Sequence, residues 1–362
     1  MTAVAASGAD AGITACFKLA YPGFSLDVDL TLPGHGITAF FGHSGSGKTT
    51  LLRAIAGLER VDDGRLVVGG EVWQDATGCL PTHARPLGYV FQEASLFPHL
   101  SVRANIEYGL RRAGAAESGF DAIVDLLGIS PLLGRKPERL SGGERSRVAI
   151  ARALVTSPRL LLMDEPLAAL DAARKAEFMP YLERLHRELN IPVLYVTHAI
   201  DEVARLADHL VLLADGRVQA SGPTAATLTR TDLPLARGDE ASAIIDGTVA
   251  VQDDVYRLTR IDCAAGPVWV SQLALPIGTA VRARVLARDV SIAIEKARET
   301  SILNLIPARV EAVVPDGPGR ALVTVNAKGV YLLSRITERS VALLGVRPGR
   351  EVVAQIKGVA VL

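Results

Sequence analysis

The chain has 362 residues, 49% of them hydrophobic, and its 39 Lys and Arg residues balance 39 Asp and Glu residues. This length and composition predict two or three packed domains, and the zero net charge gives no support to a nucleic-acid partner. The three cysteines, Cys16, Cys79 and Cys263, lack disulfide-framework or zinc-site spacing, so free thiols in a reducing compartment are expected. Without a signal segment or a run of about 18 apolar residues, the chain is predicted to be neither secreted nor membrane-spanning.

Strands and helices alternate over the first 230 residues. Residues 13–41 alternate apolar and polar side chains around a Pro-Gly turn, which predicts strands leading into Gly42. A helix (TTLLRAIAGL), a strand-turn-strand (GRLVVGGEVW) and helices broken by Gly and Pro between about 101 and 137 follow. LLLMDEP and IPVLYVTH are typical of buried parallel strands, with the amphipathic helix RKAEFMPYLERLHRELN between them. The pattern predicts an α/β domain, residues 1–230, with a largely parallel sheet.

The rest of the chain has a different composition. Residues 231–243 (TDLPLARGDEASA) are rich in Pro, Gly and charge, which is typical of a linker. Residues 244–362 alternate in strand fashion without a convincing amphipathic helix, which predicts a β-rich domain. The stretches GTAVRARV and GREVVAQI share a pattern. They indicate either two similar small-barrel lobes or a chance match between two strands.

The stretch GHSGSGKT fits the phosphate-binding loop G-x-x-x-x-G-K-[ST] and lies between a predicted strand and a predicted helix. Its glycines let backbone N–H groups face phosphate oxygens, and the helix N-terminus favours negative charge. We expect Lys48 to reach the β- and γ-phosphates and Thr49 to place its hydroxyl on Mg²⁺. The residues predicted to bind nucleotide here are Gly42, His43, Ser44, Gly45, Ser46, Gly47, Lys48, Thr49 and Thr50.

Two later strands end in polar residues. Asp164 and Glu165 follow LLLM, where ligands of open α/β folds bind; Asp164 suits a Mg²⁺ shell and Glu165 suits polarisation of the attacking water. His198 ends the next strand and could reach the γ-phosphate or the water, although a lone His at a strand end is more often structural. Gln92, in VFQEASLFPHL, says little by itself.

The stretch LSGGERSRVAIARAL contains a second Gly-rich helix start, about a hundred residues after the first. Ser141 and Glu144 form the S-x-x-E capping box, so a helix begins here. Gly142 and Gly143 allow backbone N–H groups to approach a phosphate, and a hydroxyl can both cap a helix and donate to an anion. Ser141 can therefore have two roles.

The order of the phosphate-binding loop, Gln92, LSGGE, LLLMDEP, AALD and His198 resembles the ATP-binding subunits of ABC transporters over roughly residues 13–225. This resemblance implies an α/β P-loop NTPase fold with a RecA-like core, a helical subdomain at about 93–150, and ATP and Mg²⁺ as cofactors. It also implies a head-to-tail dimer in which Ser141, Gly142 and Gly143 of one copy close over the ATP held by the other.

The same resemblance implies further roles. Thr49, Gln92 and Asp164 would hold Mg²⁺, His198 would act at the γ-phosphate, and Asp171 of AALD would cross the dimer interface. The loop at residues 97–99 would meet an integral membrane permease, which implies a peripheral protein on the cytoplasmic face of the membrane.

Two points of this ATP site depart from the family pattern or stay open. Ala168 stands where many of these ATPases carry Ser, which puts one hydrogen bond across the dimer interface in doubt. The adenine platform stays open between Phe17 and Tyr21.

The stretch VLARDVSIAIEKARETSILNLIPARV resembles the C-terminal region of molybdate-importer ATPases. This implies a regulatory domain with a molybdate-binding lobe at about 298–362, in which Ser301 and Lys357 hold the oxyanion and Asn304 supports the turn. Leu303 stands where many such domains carry Arg, which weakens the case for a tight site. The alternative is that Ser301 is a strand-end residue and Lys357 an exposed strand lysine.

The sequence therefore predicts the ATPase subunit of a molybdate importer, served indirectly by a periplasmic or extracellular binding protein. An importer ATPase for sulfate, sugar or polyamine is the first alternative. A soluble ABC ATPase of translation or DNA repair is less favoured, because the chain has one cassette and no long insertion. A pure anion sensor with a vestigial cassette conflicts with the intact Lys48, Asp164, Glu165 and His198. The choice among molybdate, tungstate and sulfate stays open.

Overall fold

The computed structural model describes residues 12–113, 119–295 and 299–362. The chain divides into two compact units after Gly222, whereas the sequence placed the end of the first domain at residue 230. The described residues of the first unit form eleven strands: β1 Ile13–Tyr21, β2 Phe24–Leu32, β3 Ile37–Phe41, β4 Asp63–Val68, β5 Glu71–Asp75, β6 Gly78–Cys79, β7 Leu87–Val90, β8 Leu160–Asp164, β9 Val193–Thr197, β10 His209–Ala214 and β11 Arg217–Pro223. Its helices are α1 Lys48–Ala56, α2 Val102–Ala113, α3 Phe120–Leu126, α4 Gly142–Leu154, α5 Ala172–Glu188 and α6 Ile200–Leu206.

These strands form one sheet in the order β6-β5-β4-β1-β2-β11-β10-β3-β9-β8-β7. Strands β10, β3, β9, β8 and β7 pair in parallel, whereas β1, β2, β4, β5 and β6 pair antiparallel with one another. The predicted largely parallel sheet is therefore confirmed only for one half of the sheet, from β10 to β7 in this order. The antiparallel half arises from short turns such as Pro22-Gly23 and Gly69-Gly70, which are too short for a parallel crossover.

The parallel strands are buried on both faces, which explains their continuous apolar sequences. All five residues of β8 and all five of β9 are buried. Leu51 and Ile55 of α1 belong to one core cluster, and Val148 and Ile150 of α4 to another. Helices α2, α3 and the start of α4 lie in the region predicted as the helical subdomain, and α4 begins at Gly142 as the capping box predicted.

The second unit is β-rich, as predicted. Its elements are α7 Thr224–Leu228, β12 Ser242–Asp253, β13 Leu258–Cys263, β14 Gly266–Ser271, β15 Ala280–Leu286, β16 Val290–Ala293, β17 Asn304–Pro315, β18 Arg320–Ala327, β19 Val330–Thr337, α8 Glu338–Leu344, β20 Glu351–Ile356 and β21 Ala360–Val361. They form two five-stranded sheets, β14-β13-β12-β15-β21 and β16-β20-β17-β18-β19. Of the stretch that resembles molybdate-importer ATPases, residues 296–298 lie outside the described residues.

The two sheets repeat one design, so the two similar lobes are confirmed. Val249 and Val310 occupy equivalent bulges in the long strands β12 and β17. Gly278 donates its N–H to the Val249 carbonyl at 2.8 Å, and Gly349 does the same to the Val310 carbonyl at 2.8 Å. The last strand of each lobe is exchanged: β16, which follows β15, pairs with β20, and β21, which follows β20, pairs with β15. Each lobe therefore needs a strand from the other.

Two features of this unit differ from the sequence expectations. Residues 231–243 are folded, with a short 3-10 helix at Pro234–Ala236 and β12 beginning at Ser242. Helix α8 was not predicted, because it has seven residues and buries none of them, so no apolar stripe marks it. Thr337 starts this helix by accepting a hydrogen bond from the Ser340 N–H at 3.0 Å. Within the residues described, no helix has the length and apolar character needed to cross a bilayer.

Candidate ATP-binding and hydrolysis site

Three loops at one edge of the sheet carry the predicted catalytic residues. Strand β3 pairs in parallel with β9, and β9 pairs in parallel with β8, so their carboxyl ends meet at the same edge. Gly42 directly follows β3, Glu165 directly follows β8, and His198 directly follows β9. The fold therefore brings the phosphate-binding loop and the two predicted catalytic residues together.

The phosphate-binding loop has a backbone that requires glycine. Gly45 has φ 82° and Gly47 has φ 99°, a region that side chains disfavour. A Cβ on Gly47 would lie 2.9 Å from Phe24 Cζ, and one on Gly42 would lie 2.2 Å from the Leu213 carbonyl oxygen. Helix α1 begins at Lys48, directly after the loop, so its N-terminus faces the loop.

Lys48 lies at the centre of this loop. Its Nζ donates to the carbonyl oxygens of Gly42 at 2.8 Å and His43 at 2.9 Å. The residue is only 5% exposed, and burial lowers the pKa of its ammonium group against the opposing effect of Glu165 and Asp164. The ammonium is thus held where it can meet phosphate oxygens that enter the loop.

Asp164 is joined to the loop by hydrogen bonds. Thr49 Oγ1 donates to Asp164 Oδ1 at 2.9 Å, and the Tyr89 hydroxyl donates to Asp164 Oδ2 at 3.2 Å. Burial raises the pKa of the Asp164 carboxyl, while the hydrogen bonds from Thr49 and Tyr89 act in the opposite direction. Tyr89 was missed by sequence reasoning; its only signal was a polar hydroxyl in the otherwise apolar strand LGYV.

The donor set at Asp164 fits a Mg²⁺ ion. The Thr49 hydroxyl and the Asp164 carboxylate are hard oxygen donors, and they lie within hydrogen-bond distance of each other. Gln92 follows the end of β7 and is exposed. Within the described ranges, no three His, Cys, Asp or Glu side chains cluster as in an all-protein metal cage.

Glu165 and His198 face each other, with Oε2 and Nδ1 3.3 Å apart. Glu165 adopts φ 45°, and its N–H donates to the Val196 carbonyl at 3.1 Å. A left-handed backbone is rare for Glu and typical of functional positions, because it aims the side chain out of the regular strand direction. The carboxylate side chain is 20% exposed, so water can still reach it.

Glu202, a buried carboxylate that sequence reasoning missed, supports the backbone on either side of His198. Glu202 accepts hydrogen bonds from the Tyr195 hydroxyl at 2.8 Å, Thr197 Oγ1 at 2.7 Å and Lys175 Nζ at 2.8 Å. Thr197 Oγ1 in turn accepts from the Ala199 N–H at 3.0 Å, which fixes the backbone on either side of His198. In the sequence, Glu202 is indistinguishable from an ordinary acid in the first turn of a helix.

The second Gly-rich helix start has the predicted cap. Ser141 N donates to Glu144 Oε2 at 2.7 Å, and Glu144 N donates to Ser141 Oγ at 3.3 Å. The cavity beside Ser141 and Gly143, of about 430 Å³, is lined otherwise by residues of α4 and α5 and by none from the phosphate-binding loop. Within one chain, neither Lys48 nor Thr49 therefore lines the cavity of Ser141.

Asp171, predicted to cross a dimer interface, caps α5. Its Oδ1 accepts from the Arg174 N–H at 2.9 Å, and its side chain is 62% exposed. Ala168 donates its N–H to the Glu165 carbonyl at 3.1 Å, so this loop is tied to the catalytic residue. Of the two aromatic candidates for adenine stacking, Phe17 is 1% exposed and belongs to the core, whereas Tyr21 is 39% exposed.

The loop predicted to meet a permease is fixed at its start by contacts with Asn105 and Arg152. Asn105 Oδ1 accepts from the Phe97 N–H at 2.8 Å, and Asn105 Nδ2 donates to the Phe97 carbonyl at 3.1 Å. Arg152 Nη1 donates to the Ser95 carbonyl at 3.0 Å, and its guanidinium lies 5.4 Å from the Phe97 ring centroid. These contacts fix the start of the loop, while Pro98 and His99 are exposed.

The three predicted oxyanion residues share a cavity in the second unit, which we call the Trp269 pocket. Its volume is about 430 Å³, and it is lined by Leu258, Trp269, Val270, Ser271, Ser301, Ile302, Leu303, Asn304, Ile356, Lys357, Gly358 and Val359. Asn304 uses both ends of its amide on one residue: Oδ1 accepts from the Trp269 N–H at 2.7 Å and Nδ2 donates to the Trp269 carbonyl at 2.9 Å. Ser301 and Lys357 are exposed at the pocket, and the Asp289 carboxylate lies beside Gly358.

Comparison with known proteins matches both units. The ABC transporter family matches residues 26–168, and the TOBE domain family matches residues 300–362. The molybdenum import ATP-binding protein ModC of Aromatoleum aromaticum is 61% identical over 98% of this chain and 95% of its own length. That of Methylococcus capsulatus is 59% identical over 97% and 99%. The solved structure of cbiO1 from Clostridium perfringens, part of the ABC transporter complex cbiONQ, shares 27% identity and a TM-score of 0.55 over 62% of this chain and 92% of its own. This chain belongs to the ATP-binding proteins of ABC transporters, within the group of molybdenum import ATP-binding proteins.

Proposed function

We propose that the chain hydrolyses ATP as a head-to-tail dimer and thereby drives molybdate import through a separate integral membrane permease. The observation that carries this function is the convergence of Lys48, the Thr49–Asp164 pair and the Glu165–His198 pair at one sheet edge. The relatives that match nearly the full chain are named for molybdenum import, which favours molybdate over sulfate, sugar or polyamine as cargo.

Each residue of this edge has a defined chemical task. Glu165 accepts a proton from the water that attacks the γ-phosphorus, while the bond from that phosphorus to the ADP oxygen breaks. His198, 3.3 Å from Glu165, orients the carboxylate and contacts the γ-phosphate. Lys48 and the N–H groups of the phosphate-binding loop stabilise the negative charge on the transferred group.

Thr49, Asp164 and Gln92 would hold the Mg²⁺ ion that accompanies ATP. When bound, the ion neutralises charge on the β- and γ-phosphates. The Tyr89 hydroxyl donates a hydrogen bond to one carboxylate oxygen of Asp164, and the other oxygen accepts a hydrogen bond from Thr49. The chain therefore orients the carboxylate before nucleotide binds.

The second copy would complete each site with Ser141, Gly142 and Gly143. The oxygen of Ser141 accepts from the Glu144 N–H, so its own proton stays available for a phosphate of the partner's ATP. The separation of the Ser141 cavity from the phosphate-binding loop within one chain supports this arrangement. Asp171 would lie at the same interface, since its side chain is largely exposed.

The permease would be contacted by the loop at residues 97–99, in which Pro98 and His99 are exposed, and this contact would hold the dimer at the cytoplasmic face of the membrane. A periplasmic or extracellular binding protein would deliver molybdate to the permease without touching this chain. The Trp269 pocket would bind the imported oxyanion through Ser301 and Lys357, and thereby report the internal supply to the ATPase.

A mixing experiment tests the shared site. Ser141→Arg places bulk and charge against the partner's γ-phosphate, and Lys48→Ala disables the chain's own loop. Each variant alone should lack ATPase activity, whereas a mixture should regain part of it, because one of its two composite sites is intact. Ser130→Arg, an exposed serine outside the site, should leave activity unchanged. Loss of nucleotide binding by Ser141→Arg monomers would argue for a site within one chain.

A transport experiment tests the cargo and the sensor. The chain co-expressed with its permease should support molybdate uptake that excess sulfate does not suppress. Internal molybdate should slow ATP hydrolysis, and the Ser301→Ala, Lys357→Ala double variant should remove this inhibition. Lys328→Ala, an exposed lysine elsewhere in the same unit, serves as the control. Molybdate-insensitive hydrolysis in the wild type would reject the sensing role while leaving transport untouched.

A further inference from the structure

Glu165 is tied to the predicted dimer interface by the loop that follows it. This loop ends at Asp171, the residue proposed above to lie at that interface. Ala168 donates its N–H to the Glu165 carbonyl at 3.1 Å, and Leu167 and Leu170 are buried. The loop is therefore anchored between the catalytic base and the interface residue.

A second route leads from Asp171 back to the catalytic pair through the start of helix α5. Lys175 donates its N–H to the Asp171 carbonyl at 2.9 Å, and its Nζ donates to Glu202 Oε1 at 2.8 Å. Glu202 Oε2 accepts from Thr197 Oγ1 at 2.7 Å, and Thr197 directly precedes His198. The route therefore ends at the histidine that faces the catalytic base.

The Lys175–Glu202 ion pair is the link of this route that depends on charge. The Glu202 side chain is only 7% exposed, and that of Lys175 is 29% exposed. Leaving a buried carboxylate without its cation is costly, so Glu202 is expected to follow Lys175 when the start of α5 shifts. Because Glu202 also holds Thr197, such a shift is passed on to the turn that carries His198.

A second ion pair joins the same two helices without reaching His198. Arg205 Nε of α6 donates to Glu183 Oε1 of α5, and the two side chains are 28% and 26% exposed. Glu183 lies about two turns further along α5 than Lys175. Among the described residues, neither side chain of this second pair bonds to the turn at residues 197–199. Holding α5 against α6 is thus a separate task from holding His198.

We propose that Lys175 and Glu202 are positioning residues that make the alignment of His198 with Glu165 depend on where the partner subunit holds Asp171. The inference rests on the head-to-tail dimer proposed above, because Asp171 meets the partner only there. Neither positioning residue belongs to the phosphate-binding loop, so they act on turnover and leave nucleotide binding by one chain intact. Dimer formation then has two effects, since it completes each ATP site and aligns the residues that hydrolyse ATP.

The test measures kcat and KM for ATP hydrolysis by the full chain, together with its affinity for ADP. Lys175→Met removes the charge and keeps a long side chain, whereas Asp171→Ser removes a carboxylate and keeps a residue that can cap α5. Arg205→Met is the matched control, because it breaks the other ion pair between α5 and α6. We expect Lys175→Met to lower kcat by about tenfold or more, with KM and ADP affinity within about twofold of the wild type. The control should change none of these quantities.

A double variant decides whether the two residues act along one route. If Lys175 passes on the position of Asp171, the Lys175→Met, Asp171→Ser variant should be no slower than the slower of the two single variants. Independent roles would instead multiply the two losses of kcat. Multiplied losses, or a loss in Arg205→Met equal to that in Lys175→Met, would overturn the inference.

Glu202→Gln replaces Lys175→Met in this cycle if the latter no longer binds ADP, because the amide keeps the shape and an acceptor for Thr197 but lacks the charge. Loss of ADP binding in both variants would reject the inference, since the pair would then support the fold as a whole. A wild-type kcat in Asp171→Ser would reject the interface role proposed for Asp171, and the inference with it. Multiplied losses reject the inference alone and leave the proposed dimer standing.

Discussion

Asn304 offers a direct test of how the Trp269 pocket is built. Strand β14 lies at the edge of its sheet, so backbone groups of Trp269 have no neighbouring strand on that side. The Asn304 amide replaces such a strand by pairing with both the N–H and the carbonyl of Trp269, at 2.7 and 2.9 Å. Asn304 is 6% exposed, so water does not readily substitute for its amide.

Asn304→Ala should therefore destabilise the second unit. Each unsatisfied buried group costs about 1–3 kcal/mol, so losing the partner of both Trp269 groups predicts about 2–4 kcal/mol, with the partial exposure of Trp269 limiting the upper end. Asn304→Asp keeps an acceptor for the N–H but puts a carboxylate against the carbonyl, so a loss of similar size is expected. Asn326→Ala is the control, because that amide lies in a surface turn and bonds to Gly329 and Glu311.

The assay is urea unfolding of the full chain in a Trp73→Phe background, which leaves Trp269 as the sole tryptophan. With a urea dependence of about 1–3 kcal/mol per molar, the expected loss of about 2–4 kcal/mol lowers the midpoint by about 0.7–4 M. The control should shift by less than about 0.5 M. A shift this small for Asn304→Ala would show that the two hydrogen bonds do not support the pocket.

Three further outcomes are expected. Glu165→Gln should lower ATP hydrolysis by about 10²–10⁴-fold while ATP-bound dimers accumulate on size-exclusion chromatography; wild-type turnover would reject Glu165 as the base. Gly47→Ala should lower the melting temperature more than Gly45→Ala, since both have positive φ but only the Gly47 Cβ would meet Phe24; equal melting temperatures would contradict this. Asp289→Asn should tighten molybdate binding about fivefold by calorimetry, because about 1 kcal/mol of repulsion near the pocket is removed; unchanged affinity would place the anion elsewhere.

Much of the ATP site could be predicted from the sequence because its chemistry lies in contiguous stretches. The phosphate-binding loop needs glycines at fixed spacing before a helix, and Glu165 directly follows a buried strand, so spacing alone fixes their places. Tyr89 and Glu202 could not be predicted in the same way. Each is a single polar residue whose partner is set by tertiary packing. Tyr89 meets Asp164, 75 positions away, through the pairing of β7 with β8. Glu202 meets Tyr195 and Lys175 through the packing of α6 against β9 and α5.

The β-rich unit was less predictable for a different reason. Alternation of apolar and polar residues indicated strands and a repeat, but it carries no information about which sheet a strand joins. The exchange of β16 and β21 between the lobes therefore had no sequence signal. The composition of residues 231–243 predicted a linker, because Pro, Gly and acids are equally typical of a loop and of a segment held by buried arginines.

The exchange also decides what the Trp269 pocket requires. Asn304 and Lys357 belong to the lobe formed around β17, whereas Trp269 belongs to the lobe formed around β12. The TOBE match at residues 300–362 includes Asn304 and Lys357 but neither Trp269 nor strands β12–β15. That matched segment carries β21, which completes the other sheet, and lacks β16, which completes its own. The pocket is thus a property of the paired lobes, and a test for anion binding there needs a chain that contains both.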